Sequence, residues 1–317
     1  MKSLNLTRIT TGVMVIVGVL FFRPLAYLAG AMMIFAGVTG ICFLEKLYSR
    51  LLGTSSSCSM VPSVAQGKEL QNMTQEEIEQ AVREKYSEVA STPWARFNFP
   101  VGREFAESVG YSCDLLEKLP SSLWESFTGA GNPHPYIDIV PGETVLDLGC
   151  GAGLDLYLYA RATGDGGKVY GLDISKEMTA KARRNMIAVN VQNVEFLCAG
   201  ADSIPLPDES IDIVTANGIY NLSPDKNAVM REVARVLRPG GRTIFAEIIL
   251  ESQLPQEIRK NMDDWFRCIG GALPEADFLA CLESAGLNNP KILWAGRNAR
   301  TGHELALSAV IRAEKSK

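Results

Sequence analysis

The stretch Val145–Gly153, VLDLGCGAG, constrains the fold more than any other part of the chain. Its first half is a short apolar run of strand character, and glycines then stand at alternate positions, Gly149, Gly151 and Gly153. Glycine permits positive φ and carries no Cβ, so the backbone can bend sharply and come close to a ligand. A helix opening just beyond would offer free N–H groups at its first turn. The same rhythm continues downstream. Strands are predicted at Thr144–Leu148, Lys168–Asp173, Val194–Cys198, Ile211–Ala216 and Arg242–Ile249, with helices between them, clearest at Lys176–Asn190 and Lys226–Leu237. Such alternation implies a parallel sheet with helices on both faces. A helix at Pro274–Ala285, a strand near Ile292–Trp294 and a final strand at Glu304–Arg312 follow. The final strand arrives after a short loop, which requires antiparallel pairing.

The 317 residues leave room for one catalytic domain and an appendage. A net charge of −5 with no basic stripe argues against nucleic acid as a partner, because affinity for a polyanion comes from clustered Lys and Arg. The seven cysteines are scattered and contain no Cys-x-x-Cys pair, so no disulfide framework or metal site is expected and a reducing compartment fits.

The N-terminal region reads differently. Two uncharged apolar runs, Ile9–Phe22 and Leu25–Leu44, flank Arg23-Pro24. At 1.5 Å per residue the second is long enough to cross a hydrocarbon core of about 30 Å. Lys2 and Arg8 precede the pair and Lys46 and Arg50 follow it, which by the positive-inside tendency puts both ends in the cytoplasm. A cleaved signal peptide and a buried helix pair are the competing readings. The expected organisation is a two-helix transmembrane hairpin over residues 1–52, a small-residue linker over 53–68, a helical cap over 69–140 and a ligand-binding α/β domain over 141–317. The hairpin resembles the two-helix inner-membrane segments that bacteria fuse to sulfur-handling and other enzymes. An inner-membrane location with the catalytic domain facing the cytoplasm is the corresponding expectation.

Within the α/β domain the third glycine comes one residue too early for a pyrophosphate-binding Gly-x-Gly-x-x-Gly fingerprint. Asp147, just before the turn, suits the charged amino-acid end of a ligand instead. Asp173 ends the second strand about twenty residues on, where an acid accepts hydrogen bonds from ribose hydroxyls, with Ile174 beside it. Asp202 follows the third strand, and Asn217 ends the fourth at the crevice where such sheets bind ligands. Val236–Gly241, VLRPGG, supplies the turn into the fifth strand.

These stretches together resemble the Rossmann-like class I methyltransferases, whose mostly parallel seven-stranded sheet has its last strand antiparallel and whose donor is S-adenosyl-L-methionine. In them the acid at Asp202 binds the adenine amino group. From about Glu76 onward the chain is similar to bacterial arsenite methyltransferases, through Phe97–Arg103 (FNFPVGR), Gly131-Asn132-Pro133, Asn221–Lys226 (NLSPDK) and Cys268–Leu273 (CIGGAL). That resemblance implies methyl transfer to trivalent arsenic held by three thiolates. The chain departs from it at two of the three. Ser126–Gly131 reads SFTGAG with no cysteine before the Gly-Asn-Pro turn, and Gly218 follows Asn217 where a cysteine is expected. Cys268 remains, as a metalloid contact, and Cys113 is a candidate substitute. Arsenic(III) is soft and favours thiolates, so glutathione or another thiol would have to complete the set. Cys268, Asn217 and Tyr220 are the expected residues around the methyl acceptor, and His134, between prolines, is either a pocket residue or an exposed one. The alternatives are methylation of another small molecule, such as a quinone precursor, or a membrane-tethered protein that binds the donor without turnover.

Overall fold

The computed structural model describes residues 70–317. The predicted hairpin and linker lie outside the described residues, and among those described no helix is long and apolar enough to cross a membrane. The strands are β1 (Thr144–Leu148), β2 (Lys168–Asp173), β3 (Val194–Cys198), β4 (Ile211–Asn217), β5 (Leu237–Leu250), β6 (Leu273–Pro274), β7 (Leu287–Arg297) and β8 (Ala306–Lys315). They form one sheet in the order β3-β2-β1-β4-β5-β8-β7, with the short β6 beside the end of β5. Strands β1 to β5 run parallel, whereas β8 is antiparallel to both β5 and β7. The sequence pattern anticipated seven strands. The two-residue β6 is the eighth, too short to leave a periodic signal. Strand β7 also runs well beyond Ile292–Trp294, because its exposed residues alternate with half-buried ones along an edge.

Helices α1 (Gln75–Ser91), α2 (Arg103–Ser108), α3 (Cys113–Lys118) and α4 (Ser121–Trp124) precede the sheet. Within it come α5 (Leu154–Thr163), α6 (Lys176–Ala188), α7 (Lys226–Val236), α8 (Gln256–Arg259), α9 (Met262–Phe266) and α10 (Glu275–Ser284). Strand β1 is central and buried on both faces, as parallel strands are. Val145 packs with Ile213, Ile244 and the inner side of α5 on one face. Leu146 and Leu148 pack with Val214, Phe245 and residues of α7 and α10 on the other. This alternation is the period-two rule of the pleat.

A third apolar cluster joins α1 to the segments after β5. Ile78, Val82 and Val89 of α1 cluster with Phe99 and, beyond β5, with Trp265, Phe266 and Cys268. Helix α1 starts at a complete capping box, Thr74 Oγ1 accepting from Glu77 N at 3.2 Å and Glu77 Oε2 accepting from Thr74 N at 3.0 Å. One buried cation fastens this cap to α6. Lys181 Nζ donates to Glu125 Oε1 at 2.6 Å, Ser126 Oγ at 2.9 Å and Ala90 O at 3.2 Å. Removing one member of a buried ion pair costs several kcal/mol when the other stays dry. Glu125 is nearly one third exposed and can rehydrate, which lowers the cost. Lys181→Met should therefore reduce stability by about 2 kcal/mol in urea denaturation, and a change below about 0.5 kcal/mol would show the tie to be ornamental.

Candidate cofactor and acceptor site

The C-terminal ends of β1, β2, β3 and β4 open into a cleft of about 1080 Å³, counted out to its solvent mouth and roofed by α1 and the loop before Gly131. Its floor is the glycine turn. Gly149, Gly151 and Gly153 have φ of 68°, 52° and 96°. A Cβ on Gly149 would stand 2.1 Å from Ile219 Cγ2, so any other residue there would force the Ile219 side chain, just beyond β4, to move. At Gly151 the space a Cβ would occupy is open for more than 4 Å. The turn is tied to β2, since Gly149 N and Cys150 N donate to Leu172 O, and Gly151 N donates to Asp173 Oδ2 at 2.9 Å. Asp173 Oδ1 accepts from Ser175 N at 2.8 Å. Burial nevertheless pushes the Asp173 carboxyl up to about 6, because two backbone donors replace its water only in part.

Two more carboxyls share this dry region. Asp147, on β1, is buried and accepts from Thr215 Oγ1 at 2.9 Å. Asp155, in the first turn of α5, accepts from Tyr111 Oη at 2.6 Å and from Asn217 Nδ2 at 3.1 Å. Burial raises the Asp155 carboxyl above its ordinary value, and it raises Asp147 well above its own, with Asp155 beside it adding to the shift. Among the described residues none of Asp147, Asp155 and Asp173 forms an ion pair. Asp155, Asp173, Asp202 and Glu79 line the cleft with no Lys or Arg among the described lining residues, and Asp147 lies buried just behind it, an arrangement that suits a ligand bringing positive charge.

Asn217 ends β4 and lines the cleft, but its amide is already occupied. Oδ1 accepts from Ala130 N at 2.8 Å and Gly131 N at 3.2 Å, while Nδ2 donates to Gly131 O at 2.9 Å. It therefore clamps the loop before Gly131 over the sheet, and a Cβ on Gly129 would lie 2.5 Å from its amide oxygen. At the mouth stand Ile174, Asp202 and, from α1, Glu79. The Glu79 carboxyl is raised by burial and then by Asp202 across the opening.

Ala130, which precedes the Gly131-Asn132-Pro133 turn, converges with Gly218 and Cys268 beside the cleft. A Cβ on Gly218 would lie 3.2 Å from Ala130 N and 3.4 Å from Ala130 Cβ. Cys268 Sγ donates to Gly218 O at 3.6 Å. Cys268 is fully buried behind the cleft wall, with φ at +66°, unusual for a side chain with a Cβ. Burial pushes its thiol up to about 11, against the opposing pull of Arg300. Tyr86 of α1 lines the cleft and accepts from Arg300 Nη2 at 2.9 Å.

Several expected residues sit elsewhere. Tyr220 does not line the cleft. A 3₁₀ turn at Tyr220–Leu222 tucks it beneath the sheet, with its ring 4.7 Å from Phe245 and 6.0 Å from Phe278. Gly153 is the N-cap of α5 and packs toward Met186 and Ala182. Cys113 is exposed at the start of α3 and His134 stacks on Tyr159, both away from the cleft. Asp155, Tyr111, Tyr86 and Glu79 were not singled out in the sequence. A first-turn acid two residues beyond Gly153, and the i, i+3, i+7 face of α1, were the available signals.

The raised Asp173 carboxyl has a consequence for stability. Its folded value of about 6 lies above the usual aspartate value, so folding takes up a proton between roughly pH 4 and 6. The associated stabilisation is present at acid pH and is lost as pH rises through 6. Asp173→Asn cannot ionise, so its stability relative to wild type should improve as pH is raised from 5 to 7.5. Urea denaturation across that range measures it, and a pH-independent difference would contradict a buried, ionising Asp173.

Residues 139–288 match the family described as a methyltransferase domain. The chain is 36% identical over 187 residues to the arsenite methyltransferase of Halobacterium salinarum, covering 59% of this chain and 48% of that protein. Over 112 residues it is 38% identical to the demethylmenaquinone methyltransferase of Bacillus mycoides, covering 35% of this chain and 47% of that one. The chain spans about half the length of the curated relatives it matches. The crystal structure of an arsenic(III) S-adenosylmethionine methyltransferase from Chlamydomonas reinhardtii superimposes with a TM-score of 0.53 at 30% identity, over 68% of this chain and 73% of that one. The chain belongs to the S-adenosylmethionine-dependent methyltransferases, among those that resemble the arsenite methyltransferases.

Proposed function

We propose that this protein transfers the methyl group of S-adenosylmethionine to a soft acceptor at the Ala130–Gly218–Cys268 wall, with thiol-bound arsenite as the first candidate. The observation that carries the reading is the convergence of those three positions beside the donor cleft. The donor fits the residues present, since it brings a sulfonium and an ammonium to a cleft lined by carboxyls with no cation beside them. When bound, it supplies an electrophilic methyl that leaves a neutral thioether once the acceptor's lone pair has taken it. Asp173 would hold the ribose, Asp202 the adenine edge, and Asp147 with Asp155 the positively charged end. Asn217 acts by holding the 129–131 loop, which shapes the space between donor and acceptor and keeps it dry.

Ala130 and Gly218 cannot ligate arsenic, so Cys268 alone needs two outside thiols, such as glutathione. Exchange of one glutathione for Cys268 would release that thiol and leave the metalloid triply coordinated. The buried Cys268 must first be uncovered, and its positive φ marks the segment at 267–269 as the place where the wall would give. The missing thiols, together with the demethylmenaquinone methyltransferase likeness, favour a quinone-type precursor as the second reading. A membrane tether through residues 1–52 belongs to this proposal too. It is supported by the two apolar runs and the placement of Lys2, Arg8, Lys46 and Arg50.

Calorimetry should show Asp173→Ala weakening donor affinity by roughly ten- to a hundredfold. Wild-type affinity should fall as pH drops below about 6, where Asp173 takes up its proton. For the acceptor, arsenite methylation should rise with added glutathione and disappear in Cys268→Ser. Ala130→Cys should increase it, because the position adjoins Gly218 at ordinary backbone geometry. Gly218→Cys should not, because a side chain there meets φ of +78° and the Ala130 backbone. If no variant forms methylarsenic at any thiol concentration while a demethylated quinol is turned over, the second reading replaces the first.

A further inference from the structure

The face of α6 that points away from the sheet has a composition the methyl-transfer chemistry does not explain. Inward, the helix buries Met178, Ala182, Asn185 and Met186. Outward, Lys176, Ala180, Arg184 and Ile187 follow at helical spacing and all are exposed, Ile187 to 73%. Trp94, just beyond the end of α1, lies alongside and is 79% exposed. Trp94, Lys176, Ala180 and Arg184 line one shallow groove. Single exposed apolar residues are ordinary. An exposed tryptophan sharing a groove with unpaired cations is not.

The charge of this face leans positive, with Lys176, Lys181 and Arg184 in the groove against Glu125 and Glu177. Among the described residues Lys176 and Arg184 have no ion pair, nor does Arg96, two residues beyond Trp94. The two acids are each held by a neighbour. Glu125 pairs with Lys181 at 2.6 Å, and Glu177 accepts from Ser87 Oγ at 2.8 Å. The chain as a whole carries −5, so a locally positive surface runs against its average. Tryptophan favours the boundary between water and hydrocarbon, and arginine and lysine beside it favour anionic headgroups.

We propose that this face rests on the surface of an anionic bilayer, with Trp94 and Ile187 entering the headgroup boundary and Lys176, Arg184 and Arg96 meeting lipid phosphates. Chain length outside the described residues supports the choice of occupant. The inference leans on the tether proposed above only for proximity, since a hairpin ending near residue 52 leaves under twenty residues before Leu70. Docking of this kind would hold the cleft at a fixed height above the bilayer, where a lipid-soluble acceptor is most concentrated.

The full chain, purified in detergent, is reconstituted into phosphatidylcholine vesicles with or without phosphatidylglycerol, using acyl chains brominated near the headgroup. Tryptophan emission is compared with that of Trp94→Phe, which isolates the share due to Trp94. The expected result is bromine quenching of that share in phosphatidylglycerol vesicles and little in phosphatidylcholine alone. Arg184→Glu should shift the docked-to-undocked ratio by roughly tenfold or more. A chain that floats with the vesicles while Trp94 stays unquenched overturns the docking and leaves the tether intact. A chain that floats with neither vesicle removes both. Trp94 emission already blue-shifted without lipid would show residues 1–69 covering the groove instead. Retention of duplex DNA lost in Arg184→Glu, without quenching, would assign the face to nucleic acid; both results overturn the proposal.

Discussion

Burying a carboxyl without a cation is unfavourable, and this fold does it three times around one turn. Asp147, Asp155 and Asp173 come from β1, the first turn of α5 and the end of β2, so the sheet order β3-β2-β1-β4 is what brings them together. The glycines that let the chain reverse between β1 and α5 also leave no side chain to separate the acids. Each acid is held by neutral donors, namely Thr215, Tyr111, Asn217 and the amides of Gly151 and Ser175. Those donors fix the geometry without neutralising the charge. The cleft is thus preorganised for a cationic ligand, and it is least comfortable when ionised and empty.

Much of this frame was legible in the residues. The strand running into Gly149, Gly151 and Gly153, and the acid about twenty residues later, predict a turn and a neighbouring strand end. Gly151 and Asp173 do meet, through a hydrogen bond that joins them. The alternation of strand and helix similarly gives the parallel part of the sheet. What could not be read depends on contacts between distant segments. Asn217 was placed at the crevice, but its role as a clamp needs the 129–131 loop above it. Tyr220 stands three residues after Asn217, and only the intervening turn shows that it leaves the cleft for the core. Asp155 was passed over because a first-turn acid is common at the N-terminus of any helix, and its burial against Tyr111 becomes visible only in three dimensions.

The wall proposed for the acceptor is closed by small residues and a buried thiol. Ala130 and Gly218 are small residues pressed against each other in a tight seam. Cys268 sits behind that seam with its sulfur on the Gly218 carbonyl. Ser308 of β8 donates to Ala130 O at 2.6 Å, and Asn298 holds Ser308 in turn, so the antiparallel edge of the sheet braces the same wall.

That bracing has a consequence for how the molecule assembles. The floor of the cleft is built from residues between 147 and 202, whereas the proposed acceptor wall joins Tyr86, Ala130, Gly218, Cys268, Arg300 and Ser308, with one contact spanning 178 positions. Closing such large loops is entropically costly and slow, while short-range βα contacts form early. The two halves of the proposed site therefore have different kinetic standing, one forming from neighbours and one only when the distant segments have come together. On partial opening, the wall would be the first to loosen, and it would do so without dismantling the floor beneath it.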